Sequence, residues 1–100
     1  MANDIEVMRA TLNGETARIA WSELQTFFAR GMVVKVDSSL DLIDVAVQMA
    51  LDDKIAIAAW MEKKQIGKVN DETAQAWLEG NPELWTVIVA PWILVQEKNH

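Results

Sequence analysis

Turn formers and helix caps interrupt this chain at short intervals, at Gly14, Gly31, Asp37-Ser38-Ser39, Asp52-Asp53, Asn70, Gly80 with Pro82, and Pro91. Such punctuation forces the fold to be assembled from several short elements sharing one core. Each segment between breakers can then be read on its own periodicity.

Asn3 with Glu6 has the form of a capping box, and Ile5, Met8 and Leu12 follow at helical spacing up to a stop at Gly14. Ser22 with Gln25 is a second box. It predicts a helix from Glu23 to about Arg30 that buries Leu24, Phe27 and Phe28 and stops in the left-handed conformation at Gly31. Ser38 with Asp41 is a third cap signature, opening a helix from Leu40 to Leu51 whose polar stripe is Asp41, Asp44, Gln48 and Asp52. At Asp52-Asp53 the helix either breaks, with a new one from Lys54 to about Lys64, or runs through; two helices are the preferred reading. Asn70 caps a further helix carrying Ala74, Trp77 and Leu78, closed by Gly80 and Pro82.

Strands are expected near 32–36, 66–69, 85–90 and 93–96, where β-branched and aromatic residues concentrate between turn formers. Pro91 has no amide to give a ladder and marks a bend, a bulge or a sheet edge. Helices and strands interleave without a strict βαβ rhythm. The expected class is therefore α+β: a small sheet covered on one face by four or five helices, in a single globular domain over residues 1–100.

Composition narrows what such a domain can do. Apolar residues make up 51% and charged residues 24%, a balance that supports a packed core rather than disorder. With no cysteine, disulfides, thiolate catalysis and Cys-based metal centres are excluded, which fits a cytoplasmic protein. The first twelve residues carry Asp4, Glu6 and Arg9 and do not form a signal peptide, and Leu84–Val95 is too short and Pro-interrupted to span a bilayer. A net charge of −6 opposes binding to phosphate backbones and anionic lipid, so neither nucleic acid nor membrane is an expected partner. Lys63, Lys64 and Lys68 form the one basic cluster and read as the solvated end of a helix.

Catalytic chemistry finds few candidates. His100 is the sole histidine and the last residue, and Ser22, Ser38 and Ser39 occupy cap or turn positions, so no serine-histidine arrangement can be assembled. The four glycines are isolated, which leaves no phosphate-cradling loop, and no cofactor is implied. Asp37, Asp41 and Asp44, where a strand end feeds a helix, are the candidate ligands for a hard divalent cation. Their structural reading as turn former, cap and solvated stripe is the simpler one.

Five tryptophans in so short a chain are unusual. Trp21, Trp60, Trp77 and Trp85 read as core. Trp92 stands beside Pro91, where regular pairing is interrupted, so core and an exposed recognition point are balanced readings.

Trp21-Ser22-Glu23-Leu24 ahead of Phe27-Phe28, Leu40-Asp41-Leu42, Asp52-Asp53 followed by Trp60, and Ala90-Pro91-Trp92-Ile93-Leu94-Val95-Gln96 together resemble a family of small bacterial proteins catalogued as a domain of unknown function. The resemblance runs from about Ala17 to Glu97. It implies a bacterial, cytoplasmic protein and carries over no reaction, cofactor or active site. The functional expectation is thus a non-enzymatic interaction module, able to self-associate or to bind a protein partner through Pro91 and Trp92 on an exposed strand edge. The alternative is a small-molecule or divalent-metal-binding protein, or an enzyme, built on the carboxylates.

Overall fold

The computed structural model describes residues 4–97. In chain order its elements are α1 (Asp4–Glu15), β1 (Ala17–Ala20), α2 (Trp21–Ala29), β2 (Val33–Val36), α3 (Leu42–Ala50), α4 (Lys54–Glu62), β3 (Ile66–Lys68), α5 (Asp71–Gly80), β4 (Glu83–Val89) and β5 (Trp92–Glu97). The strands form one mixed sheet in the order β1-β4-β5-β2-β3, an α+β architecture with helices packed over it. Only β2 and β5 are parallel, Val33 standing opposite Ile93; the other neighbours are antiparallel.

Helices cover both faces of the sheet, not one. Along β5, Leu94 enters a core with Val34, Val36 and Val87 beneath α1 and α3, while Ile93 and Val95 enter a second core with Trp21, Leu24 and Trp77 of α2 and α5. The physical reason is the pleat: successive side chains alternate between faces, so an unbroken apolar run such as Ile93-Leu94-Val95 requires a partner on each side. Leu94 and Val95 are both fully buried, each contributing roughly 1.5–3 kcal/mol of burial.

Local caps explain the helix boundaries. The Asp41 carboxylate accepts from the Ile43 amide at 2.8 Å and so opens α3 itself, three residues beyond the expected cap at Ser38. Asp53 accepts from the Ala56 amide at 3.1 Å and opens α4, so the two-helix reading of residues 40–64 holds, with Asp52 left-handed between them. Asn70 caps α5 through the Thr73 amide at 2.7 Å. Gly31 takes the left-handed conformation after α2, as expected.

Several boundaries differ from expectation. α1 passes through Gly14 to Glu15, and its proposed cap Asn3 lies outside the described residues, as does His100. α2 begins at Trp21 without a side-chain cap of its own. Its first amides are met instead by residues distant in the sequence, Trp21 donating to the Pro82 carbonyl at 2.9 Å and Ser22 to the Asn81 side-chain oxygen at 3.0 Å. Phe28 is half-buried against Trp21 but Phe27 faces solvent. α5 runs through Gly80, and Asn81 supplies its left-handed terminus. Strand β1 was not expected at all. Its four residues, Ala-Arg-Ile-Ala, carry little β signal and are held by pairing with β4.

Pro91 does not lie at a sheet edge. Ala90-Pro91, joined by a cis peptide, forms the tip of the β4–β5 hairpin between the paired residues Val89 and Trp92. β4 and β5 each have a neighbour on both sides, so the open edges of the sheet are those of β1 and β3.

Candidate functional site

The three candidate carboxylates are not gathered around one point. Asp41 and Asp44, one turn apart at the start of α3, reach across to Arg9 of α1; the guanidinium hydrogen-bonds Asp44 and lies 3.6 Å from Asp41. Asp44 in the first place, and Asp41 after it, push the Arg9 pKa further up. A cation of the chain is thus already paired with both carboxylates. Asp37, at the end of β2, closes a turn on Ser39, whose backbone amide donates to it at 2.9 Å. Hydrogen bonds from the Ser39 hydroxyl and amide hold its carboxyl below the ordinary value of 3.8. Among the described residues no group of three or more His, Cys, Asp or Glu is arranged to hold a metal ion.

A different surface emerges around α4. From Ile55 to Met61 the helix carries no polar side chain, a composition that belongs to a helix buried all round, yet none of its nine residues is buried. Its inner side chains, Ile57 and Trp60, pack at the margin of the first core. Ile55 is 85% exposed and Met61 55%, and Leu51 at the end of α3 is exposed beside them in the chain.

Next to α4 lies an open groove of about 380 Å³, walled by Lys54, Ile57, Ala58 and Met61 of α4 and by Met49, Ile66 and Trp92. The four α4 residues fall at i, i+3, i+4 and i+7, one continuous side of the helix. Lys68 of β3 closes the end of the groove with its ammonium 5.9 Å from the centre of the half-buried Trp92 ring, within cation–π range. Met61, Ile66, Gly67 and Lys68 also border a second cavity, of about 410 Å³, which adds Lys35 and Lys64. Between Asp52 and Val69 the chain places four of its nine Lys and Arg against three of its fifteen acids, so the basic part of an acidic molecule surrounds its most apolar exposed helix.

Trp92 thus reaches the surface as a wall of the groove, through its side chain rather than through a free strand edge, and Pro91 lies exposed at the hairpin tip without lining that groove. Reading the sequence for catalytic motifs missed Ile55, Met61 and Lys54, and took Lys68 for part of the solvated end of a helix, whereas it ends strand β3. The signal that could have found them was the unbroken apolar run of α4, which does not fit the amphipathic pattern of a surface helix. Gln96 was also missed: its side-chain amide donates to the Asp37 carbonyl at 2.9 Å and the Leu40 carbonyl at 2.7 Å, tying β5 to the loop that carries the acids.

Residues 7–97 match the family described as "Protein of unknown function (DUF2288)". The chain belongs to this family. The DUF2288 match covers β1 through β5 and most of α1, including the whole α4 surface and Trp92. Among solved structures, the chain is similar to PA1075 from Pseudomonas aeruginosa, determined in solution by NMR, with 45% identity and a TM-score of 0.82 over 100% of this chain and 93% of that one. No curated protein matches. The strings that carry the resemblance of this DUF2288 chain to its family are structural on inspection: Trp21 fills the second core, Asp41 and Asp53 are caps, and Trp92-Ile93-Leu94-Val95-Gln96 is β5.

Proposed function

We propose that this protein is a non-enzymatic interaction module that binds a protein partner through the exposed face of α4 and the groove between α4, β3 and Trp92. One observation carries the reading: from Ile55 to Met61 α4 is apolar on every side, and the helix buries none of its residues. Apolar side chains left in water cost free energy that only a partner recovers, and an aliphatic side chain as exposed as Ile55 adds nothing to the fold. Met49 and Met61 in the groove suit a contact surface, because the flexible thioether adapts to its partner's shape.

Self-association is the second reading, favoured by Trp92, a residue type enriched at contact hot spots. Across a two-fold axis, however, the same surface would bring the cluster of Lys54, Lys64 and Lys68 up to a second copy of that like-charged cluster, so a partner of different sequence is preferred. The carboxylate-centred alternative loses ground to Arg9, which already pairs with Asp41 and Asp44. The lack of cysteine supports work in the cytoplasm. Among the described residues no helix is long and apolar enough to cross a membrane.

The test is co-purification from the native cell with tagged wild type, the double variant Ile55→Glu/Met61→Glu, and Glu72→Lys on α5 as a control. The double variant is expected to unfold in urea within about 0.5 kcal/mol of wild type, as exposed substitutions usually do. A protein retained by wild type and by Glu72→Lys but lost from the double variant supports the reading. Identical sets of retained proteins from all three would remove this surface as the contact.

A further inference from the structure

Resting on that reading, we propose that the groove receives a short acidic amphipathic helix of the partner, about two turns long, with apolar side chains spaced i, i+3 or i+4, and i+7. Three observations set its chemistry. The groove's main wall is itself a helical stripe, Lys54, Ile57, Ala58 and Met61. At 1.5 Å per residue it spans roughly 10 Å, the length over which a second helix lying alongside presents three apolar anchors.

Charge sets the flanks of the occupant. Lys54 and Lys64 make no ion pair among the described residues, nor does Lys68, whose ammonium lies over the Trp92 ring and beside Gly31. Asp52 and Asp37 are the acids that line the two cavities, so cations outnumber acids around them in a chain whose net charge is −6. Carboxylates flanking an apolar stripe would be steered to this surface and repelled by most of the rest of the molecule.

Geometry separates a helix from the other occupants. The β3 edge is only three residues long, with Gly67 at its centre and Lys68 at its end, too short and too blunted to template a partner strand. A small amphipathic anion could fill the cavity but would not follow the wall from Lys54 to Met61, whereas a helix lying alongside α4 engages that wall over its full length.

Panning a phage library of random 16-residue peptides on the intact protein, with counter-selection on Ile55→Glu/Met61→Glu, reads the preference directly. The expected winners carry Leu, Ile, Met or Phe at helical spacing flanked by Asp and Glu. As synthetic peptides they should gain helical circular dichroism on binding, shift the amide signals of α4, β3 and Trp92, and lose roughly tenfold in affinity with Lys54→Glu/Lys68→Glu or on raising salt. Winners that bind α4 but are basic, or that remain extended, overturn the acidic-helix inference while leaving α4 as the interaction surface. No α4-dependent winner overturns both, as would dodecanoate occupying the groove more tightly than any peptide, or sedimentation showing a dimer that buries it.

Discussion

At the scale of single residues, burial and hydrogen bonding decide what each side chain contributes to stability. Leu94 is fully buried in the core between the sheet and α3, whereas Asp44 sits on an exposed ion pair with Arg9. Leu94→Ala should therefore cost about 2–5 kcal/mol by cavity formation, and Asp44→Ala less than about 1 kcal/mol, because a solvent-screened pair contributes little. Urea melts of the two variants check the order, and an Asp44 variant more damaging than Leu94→Ala would mean that the Arg9 pair is buried and structural. Asp37 makes a pH-dependent contribution of definite sign. Its folded pKa is lowered by Ser39, so the stability it lends is present above the ordinary carboxylate value of 3.8 and is lost as pH falls through the lower folded value. A carboxyl titration by NMR should place the Asp37 midpoint below 3.8, and Ser39→Ala should move it upward only part of the way, since the Ser39 backbone amide still donates. Gln96 shows the reverse of legibility: its pattern in the sequence is that of a strand end, and only the fold places its amide against two loop carbonyls.

At the scale of elements, local chemistry decided what could be read in advance. Caps and stops act over three or four residues, so the Asn70 cap, the break at Asp52-Asp53 and the left-handed Gly31 were visible in the sequence. Long-range partners were not. The start of α2 looked like a box at Ser22, but its amides are satisfied by Pro82 and Asn81, some sixty residues on. Asn81 consequently does two jobs, ending α5 in the left-handed region at φ 44° and accepting from Ser22. Asn81→Ala loses both the conformational ease and the acceptor, and should cost about 1–2 kcal/mol; Asn81→Gly keeps the backbone freedom and should cost less. Equal losses for the two would show that the acceptor alone matters. Strand β1 was illegible for the same reason, because Ala17–Ala20 becomes a strand only through β4. The two-sided covering of the sheet, in contrast, was written in the unbroken apolar run of β5, a signature of a strand with both faces buried.

At the scale of the whole molecule, charge and apolar exposure are segregated. Two cores take up most of the large apolar side chains of the sheet and Trp21 of α2, at 1% exposure; exposed apolar side chains remain on α1, α5 and β4 as well, but the most exposed of them, Ile55, stands on α4 with Met61, where the lysines also gather. The sequence-level expectation of an interaction through Trp92 pointed to one wall of this surface while giving a mistaken reason for it, since β5 lies inside the sheet. What the sequence could not convey is that α4, apolar from Ile55 to Met61, would be left outside: that depends on α1 and α3 having already covered the sheet. The most direct test is photo-crosslinking in living cells from a reactive residue placed at position 55, with the exposed position 23 on α2, which packs in the second core, as reference. The expected result is a discrete adduct with another protein from position 55 alone, abolished by Lys54→Glu/Lys68→Glu; a folded protein that yields no adduct from position 55, or the same adducts from both positions, would contradict α4 as the working surface.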